Sequence, residues 1–196
     1  MGPEHPSTLA SVNSLAIVLK MQGKNEVAKA LHQRALNGRE KALGPDHPAT
    51  LTSVNNLAVV LWERSEHEAA EVMHRRALDG REKALGPKHP DTLESVDHLV
   101  LVLYERGKYT ETIAMHQRAL DWREKVLGPE HSDTLMSMYS LALLLQSQKK
   151  YNDATILFQK ACIGYDKTLG SNHPTTVECS KHYSTFLEEI GRQKTS

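Results

Sequence analysis

One short motif recurs at a fixed interval along these 196 residues and limits the fold more than any other feature. Leu43-Gly44-Pro45-Asp46-His47-Pro48 returns 42 positions later as Leu85-Gly86-Pro87-Lys88-His89-Pro90. It returns again as Leu127-Gly128-Pro129-Glu130-His131 and as Leu169-Gly170-Ser171-Asn172-His173-Pro174, and Gly2-Pro3-Glu4-His5-Pro6 supplies the same punctuation at the start. A period of this size marks stacked supersecondary units, none of which can bury its apolar face alone. A single array over 1–196 is expected, with units of about 2–43, 44–85, 86–127 and 128–169 and a capping helix over 170–192. Function should then lie on a repeated surface and not in the pocket of one globular fold.

Between these marks each unit reads as two helices. Val12, Leu15, Ala16, Val18 and Leu19 have helical spacing and predict helix A over Thr8–Lys20, with Pro6 at a first-turn position where a missing amide is tolerated. Gln22-Gly23-Lys24 is the turn, and Ala28, Leu31, Ala35 and Leu36 predict helix B from Glu26 to Ala42. Gly44-Pro45 ends it, since Gly accepts a left-handed cap and Pro cannot continue a helix. The pattern repeats through the second, third and fourth units, with Ser65 standing where the first turn has Gly23. A fifth helix A is predicted over Thr176–Ile190, ended by Gly191 and a polar tail.

The two ends differ. Lys181, Ser184, Glu188, Glu189 and Arg192 give the last helix a polar outer face, as an array needs in order to stop. The first unit, with Ala16, Ile17 and Val18, is as apolar as an internal one, which predicts further repeats upstream and self-association through its uncovered face. Ser65, Trp122 in place of Gly38 and Gly80, and Phe158 in place of a histidine are irregularities that mark duplicated natural repeats and not a consensus design.

Lys plus Arg equals Asp plus Glu, so the formal charge is zero and nothing points to nucleic acid or an anionic membrane. Apolar runs such as Leu141–Leu145 are far too short to span a bilayer, and a cytoplasmic protein is expected. Cys162 and Cys179 lie one repeat junction apart, where folding could bring them close; they read as partly buried thiols in a reducing compartment.

Asn56-Leu57-Ala58, Leu61, turns ending in Tyr109 or Tyr151, and the small residues Ala70 and Ala77 resemble the tetratricopeptide repeat. Helix B runs on through Arg81-Glu82-Lys83-Ala84-Leu85, making a unit longer than the usual 34 residues or so, similar to the repeats of kinesin light chains. It looks closer still to the C-terminal arrays of fungal NOD-like receptors. The resemblance implies a right-handed all-α solenoid of antiparallel helix pairs with a capping helix, acting as a non-enzymatic, protein-binding or ligand-sensing module without cofactor. No Gly-rich phosphate loop occurs, so these residues should not bind nucleotide.

The resemblance places ligand peptides on the concave side, lined by helices A. A helical wheel reaches the same face: with Leu57 inward, residues 52, 55, 56, 59, 62 and 63 fall in a sector of roughly 120° on the other side. The predicted binding residues are Asn55, Asn56, Val59, Trp62, Glu63, Glu94, Asp97, His98, Leu101, Tyr104, Glu105 and Tyr139. Asn side chains can donate to and accept from an extended peptide, Trp62 and Tyr104 offer flat apolar area, and the carboxylates make the surface acidic. Packing of Trp62 and Tyr104 between successive helices is the competing reading. Glu94, Asp97 and Glu105 exclude a cationic clamp for a C-terminal carboxylate, as in chaperone-binding relatives, and a basic groove of the kinesin light chain kind. The expected ligand is a basic or neutral peptide with an aromatic or aliphatic anchor.

Eleven histidines invite a metal or acid–base reading. His5, His47, His89, His131 and His173 share one loop slot, however, and stacked helices about 10 Å apart cannot bring neighbours to one zinc ion with ligands near about 2 Å. They read as loop and cap residues. His32, His74 and His116 share a helix B slot that Phe158 fills in the fourth unit, which points to packing. An active site needs one irregular constellation, whereas the polar residues here are periodic, so no catalytic or metal-binding residue is expected.

Overall fold

The computed structural model describes residues 2–194, and side chains as far as 192. Nine helices run through the described residues: α1 (Pro6–Met21), α2 (Asn25–Leu43), α3 (Pro48–Glu63), α4 (His67–Leu85), α5 (Pro90–Glu105), α6 (Tyr109–Val126), α7 (Ser132–Ser147), α8 (Tyr151–Leu169) and α9 (Pro174–Lys194). Each helix predicted above extends one or two residues beyond its expected ends. The exception is α9, which passes through Gly191 instead of stopping there. Gly191 does not take the positive φ that ends the other helices, so nothing turns the chain. Residues 195 and 196 of the predicted polar tail lie outside the described residues.

Local chemistry explains the punctuation. His5, His47, His89, His131 and His173 are caps: each Nδ1 accepts from the backbone N–H two residues on, at 3.1–3.3 Å. A side-chain cap of this kind stabilises a helix start by about 1 kcal/mol. Four helices A end in a paired turn in which the N–H of Lys24, Glu66, Lys108 or Lys150 bonds the carbonyl of Leu19, Leu61, Leu103 or Leu145, each at 2.9 Å. That turn needs one left-handed residue. Gly23 and Gly107 supply it at φ 74° and 71°, but Ser65 and Lys149 adopt it at 61° and 58° despite their side chains.

The chain forms two compact units, Met1–Lys108 and Tyr109–Ser196. In the first, α1 packs on α2, α3 on α4, and α2 and α4 pack on α3 and α5. Ala16, Ala28, Ala35, Ala58, Ala70 and Ala77 are fully buried where the paired helices cross. Gly80 marks the closest approach, since a Cβ there would stand 2.5 Å from a methyl of Leu51. Leu36, Val54, Leu57, Leu61 and Val102 fill the core beside these alanines. In the second unit Leu120, Leu135, Leu141, Phe158 and Phe186 do the same around Ala142, Ala154 and Ala161. The division falls within the third helix pair, whose helix B carries Trp122 in the slot that Gly38, Gly80 and Gly164 fill elsewhere.

Successive pairs are joined by buried arginines. Arg39 donates to Ser53 Oγ at 2.9 Å and to the Ala49 carbonyl at 2.8 Å. Arg81 reaches Ser95 Oγ at 2.9 Å and the Asp91 carbonyl at 2.6 Å, and Arg123 reaches Ser137 Oγ at 2.8 Å. The serine slot thus accepts the arginine of the preceding helix B, which satisfies both buried groups.

Candidate functional site

The predicted face of α3 and α5 separates into a buried polar ladder and an exposed apolar row. Asn55 belongs to the ladder. It is 2% exposed, its Oδ1 accepts from His74 Nδ1 at 3.0 Å, and its Nδ2 donates to His98 Nδ1 at 3.2 Å. This corrects its expected role, because both halves of the amide are already engaged and no peptide main chain can reach them. Asn56 is half-buried and donates to Asn13 Oδ1 at 3.2 Å, which also accepts from His32 Nδ1 at 2.9 Å. His32 and His74 therefore do more than fill space, since each anchors an asparagine of its paired helix A.

Burial shapes the electrostatics of this ladder. Desolvation, reinforced by the nearby His98 and Arg81, lowers His74 to about 3. Desolvation with Lys20 and Arg39 takes His32 to about 4. His98 stacks on His74 with ring centroids 5.4 Å apart and is also lowered, chiefly by burial. Neutral imidazoles suit this arrangement, because Asn55 Nδ2 needs an unprotonated His98 Nδ1 as acceptor.

Trp62 is half-buried and packs with Met73 on the first unit's core, and its Nε1 is buried without a hydrogen-bond partner. The competing packing reading fits Trp62 better than peptide contact. Tyr104 is 42% exposed and Leu101 48% exposed, on the same side of α5 as the exposed Glu105. Val59 on α3 is half-buried, and Asp97 and His98 on α5 are half-buried too.

The predicted acidity is partly cancelled. Glu63 pairs with Lys20 at 3.0 Å, and Glu94 pairs at 3.1 Å with the buried Arg81. Tyr139 lies in the second unit, half-buried, where its ring stacks on His182 of α9 and its hydroxyl donates to His182 Nδ1. Burial pushes its phenol up to about 12. Tyr139 is therefore a rung between α7 and α9, equivalent to the Asn55–His98 rung, and not a free contact.

Along the predicted face of the first unit, one slot holds a row of aliphatic side chains: Ile17 at 40% exposure, the half-buried Val59, and Leu101. They stand on α1, α3 and α5, which lie side by side, and Tyr104 stands one turn beyond Leu101. Ile17 is absent from the predicted set, although its spacing of 42 residues from Val59 marks it. Such a row can take an apolar anchor, and the carboxylates beside it can take a cation. Among the described residues, no group of three or more His, Cys, Asp or Glu side chains is placed to hold a metal ion. No described helix is long and apolar enough to cross a membrane.

Residues 7–83 and 91–165 match the family model described as tetratricopeptide repeat. None of the curated proteins matches the chain. Among solved structures, a Podosopora anserina protein described as a kinesin light chain with nearly identical TPR-like repeats is 24% identical, with a TM-score of 0.86 over 97% of this chain and 90% of that one. BtubC (BKLC) from P. vanneervenii is 15% identical, with a TM-score of 0.82 over 95% of this chain and 74% of that one. The apo form of RapI is 17% identical, with a TM-score of 0.71 over 93% and 69%. At these identities the likeness establishes the fold, an all-α TPR-like solenoid.

Proposed function

Since the chain belongs to the tetratricopeptide repeat family, matched over residues 7–83 and 91–165, we propose that it binds a protein segment along α1, α3 and α5 and acts by display, without catalysis. The observation that carries this reading is the aliphatic row Ile17, Val59 and Leu101 with Tyr104, left open at one slot per repeat while the neighbouring Leu57 and Leu99 are 1% and 0% exposed. A row at a fixed spacing suits an extended peptide that presents an aliphatic or aromatic anchor. Glu105 and the partly neutralised Glu63 and Glu94 favour a basic residue beside that anchor, so binding should weaken as salt rises.

A peptide-library screen with Leu101→Lys and Tyr104→Ala variants tests this. Both positions are exposed, so the variants should fold and lose the signal for basic, anchor-bearing peptides. Folded variants that bind the same peptides as the unaltered chain would end the reading. The parent we propose is a cytoplasmic NOD-like receptor with this array as its sensor, on the strength of the Arg81-Glu82-Lys83 extension and the loop motif. Sequencing the parent transcript upstream of residue 1 for a phosphate-binding loop decides that point.

One observation favours a second reading, a scaffold or self-assembling adaptor of kinesin light chain type. Leu15 and Val18 on α1 are 51% and 49% exposed, whereas Leu57 and Val60 in the same slots are 1% and 0%. Sedimentation across a concentration range tests it: a dimer abolished by Leu15→Lys supports assembly through α1, and a monomer throughout removes it.

A further inference from the structure

The last junction of the array breaks a rule the others keep. At each earlier junction an arginine of helix B reaches a serine of the next helix A, and Leu36, Leu78 or Leu120 is buried three residues before that arginine. Between α8 and α9 all three slots change together: Tyr165 replaces the arginine, Cys179 the serine and Cys162 the leucine. Tyr165 cannot bridge as arginine does, and at this junction Thr176 Oγ1 instead donates to the Tyr165 carbonyl at 3.3 Å. The two cysteines stand in contact instead, sulfur to sulfur at 2.6 Å, both as free thiols.

We propose that Cys162 and Cys179 form a thiol modification site that closes to a disulfide, taking the place of the missing arginine–serine link and fastening α9 to α8. The co-reactant is a small-molecule disulfide of the glutathione type. Cys162 is only half-buried, while Cys179 is 1% exposed, so the first attack falls to Cys162. Its thiolate attacks one sulfur of the reagent, breaking that disulfide, forming a mixed disulfide and expelling one small thiolate. The Cys179 thiolate then attacks Cys162 Sγ, forming the intramolecular bond and expelling the second small thiolate. Two electrons pass from the cysteine pair to the reagent, and the two cysteine protons end on the two small thiols. The bond between the two thiols, which holds Cys162 below its ordinary range and, together with burial, raises Cys179, agrees with this order.

The fastening has a structural consequence. Helix α9 carries Phe186 into the second unit's core and His182 against Tyr139, so a covalent tie at Cys179 secures both contacts. The test uses the full chain, folded, in a buffer of glutathione and its disulfide, followed by intact mass, peptide mapping and amide exchange. The expected product lacks two hydrogens, yields a crosslinked peptide joining Cys162 to Cys179, and slows exchange in α9 at least about tenfold. Cys179→Ser should trap one glutathione on Cys162, and Cys162→Ser should stay unmodified. Glutathione retained on Cys162 of the unaltered chain, or both thiols unchanged after the reagent has oxidised a model peptide dithiol, would overturn the proposal. So would a crosslinked product whose α9 exchanges as fast as the reduced form.

Discussion

His74 gives the most quantitative test of the polar ladder. It is 1% exposed, donates to Asn55 and lies against His98, and burial takes it from 6.5 to about 3. A histidine whose folded value lies below its unfolded value resists protonation in the native state. Its contribution is therefore complete above pH of about 6.5 and is lost as the pH falls towards the folded value. At pH 5 the unfolded chain is about one and a half pH units below 6.5, and each unit is worth about 1.36 kcal/mol, so His74 alone should destabilise the first unit by about 2 kcal/mol. That figure holds as long as the folded value stays well below 5. His32, lowered to about 4, adds in the same direction.

The fourth repeat suggests the perturbation. Tyr139 and Phe158 fill the slots of Asn55 and His74, with ring centroids 5.9 Å apart, and Tyr139 keeps the rung to the next helix A through its hydroxyl. The double variant Asn55→Tyr, His74→Phe should fold and preserve a rung to His98. Urea unfolding followed by Trp62 fluorescence, in a Trp122→Phe background, reads the first unit between pH 7.5 and pH 5. The unaltered chain should lose about 2 kcal/mol more than the double variant over that interval. Equal losses would refute the assignment of acid sensitivity to His74.

Other substitutions probe separate features. Ser65→Gly relieves a left-handed residue with a side chain and should stabilise by about 0.5–1 kcal/mol, raising Tm by a few degrees, whereas Ser65→Ala should leave the strain in place. Arg81→Met removes bonds to Asp91, Ser95 and Glu94 and leaves Ser95 Oγ buried without that donor, costing about 2–4 kcal/mol in denaturant titration. Lys83→Met, on the exposed side of α4, should stay within about 0.5 kcal/mol. Glu71, 5% exposed, gathers Arg75, Arg106 and Lys108; burial alone would raise its carboxyl, but the bonds from Lys108 and Arg75 prevail and hold it below the ordinary range. Glu71→Gln should therefore destabilise by about 2 kcal/mol near neutral pH, and the gap to the unaltered chain should narrow as acid protonates Glu71.

The helices were legible because a 42-residue period, prolines at helix starts and glycines past helix ends act locally, and local rules need no tertiary contact to be read. The crossing alanines and the capping role of the loop histidines followed from the same periodicity. The site was less legible. A wheel drawn for one helix treats the whole side opposite Leu57 as open, whereas α5 covers part of α3, so Asn55 is enclosed between His74 and His98. The charges of Glu63 and Glu94 are answered by Lys20 and Arg81, 43 and 13 residues away, beyond the reach of any single-helix reading. One signal was present in the sequence: Asn accompanies His in the paired slots of Asn13 and His32 and of Asn55 and His74, and Tyr accompanies Phe in Tyr139 and Phe158. That paired change is what a contact between the slots produces.

Methyl-resolved NMR of the chain, labelled at Ile, Leu and Val and titrated with the strongest binder from a basic, anchor-bearing peptide library, tests the binding face most directly. The account predicts shifts at Ile17, Val59 and Leu101, with little change at the enclosed Leu57 and Leu99. Shifts confined to Leu15 and Val18, or to methyls of the second unit, would contradict it.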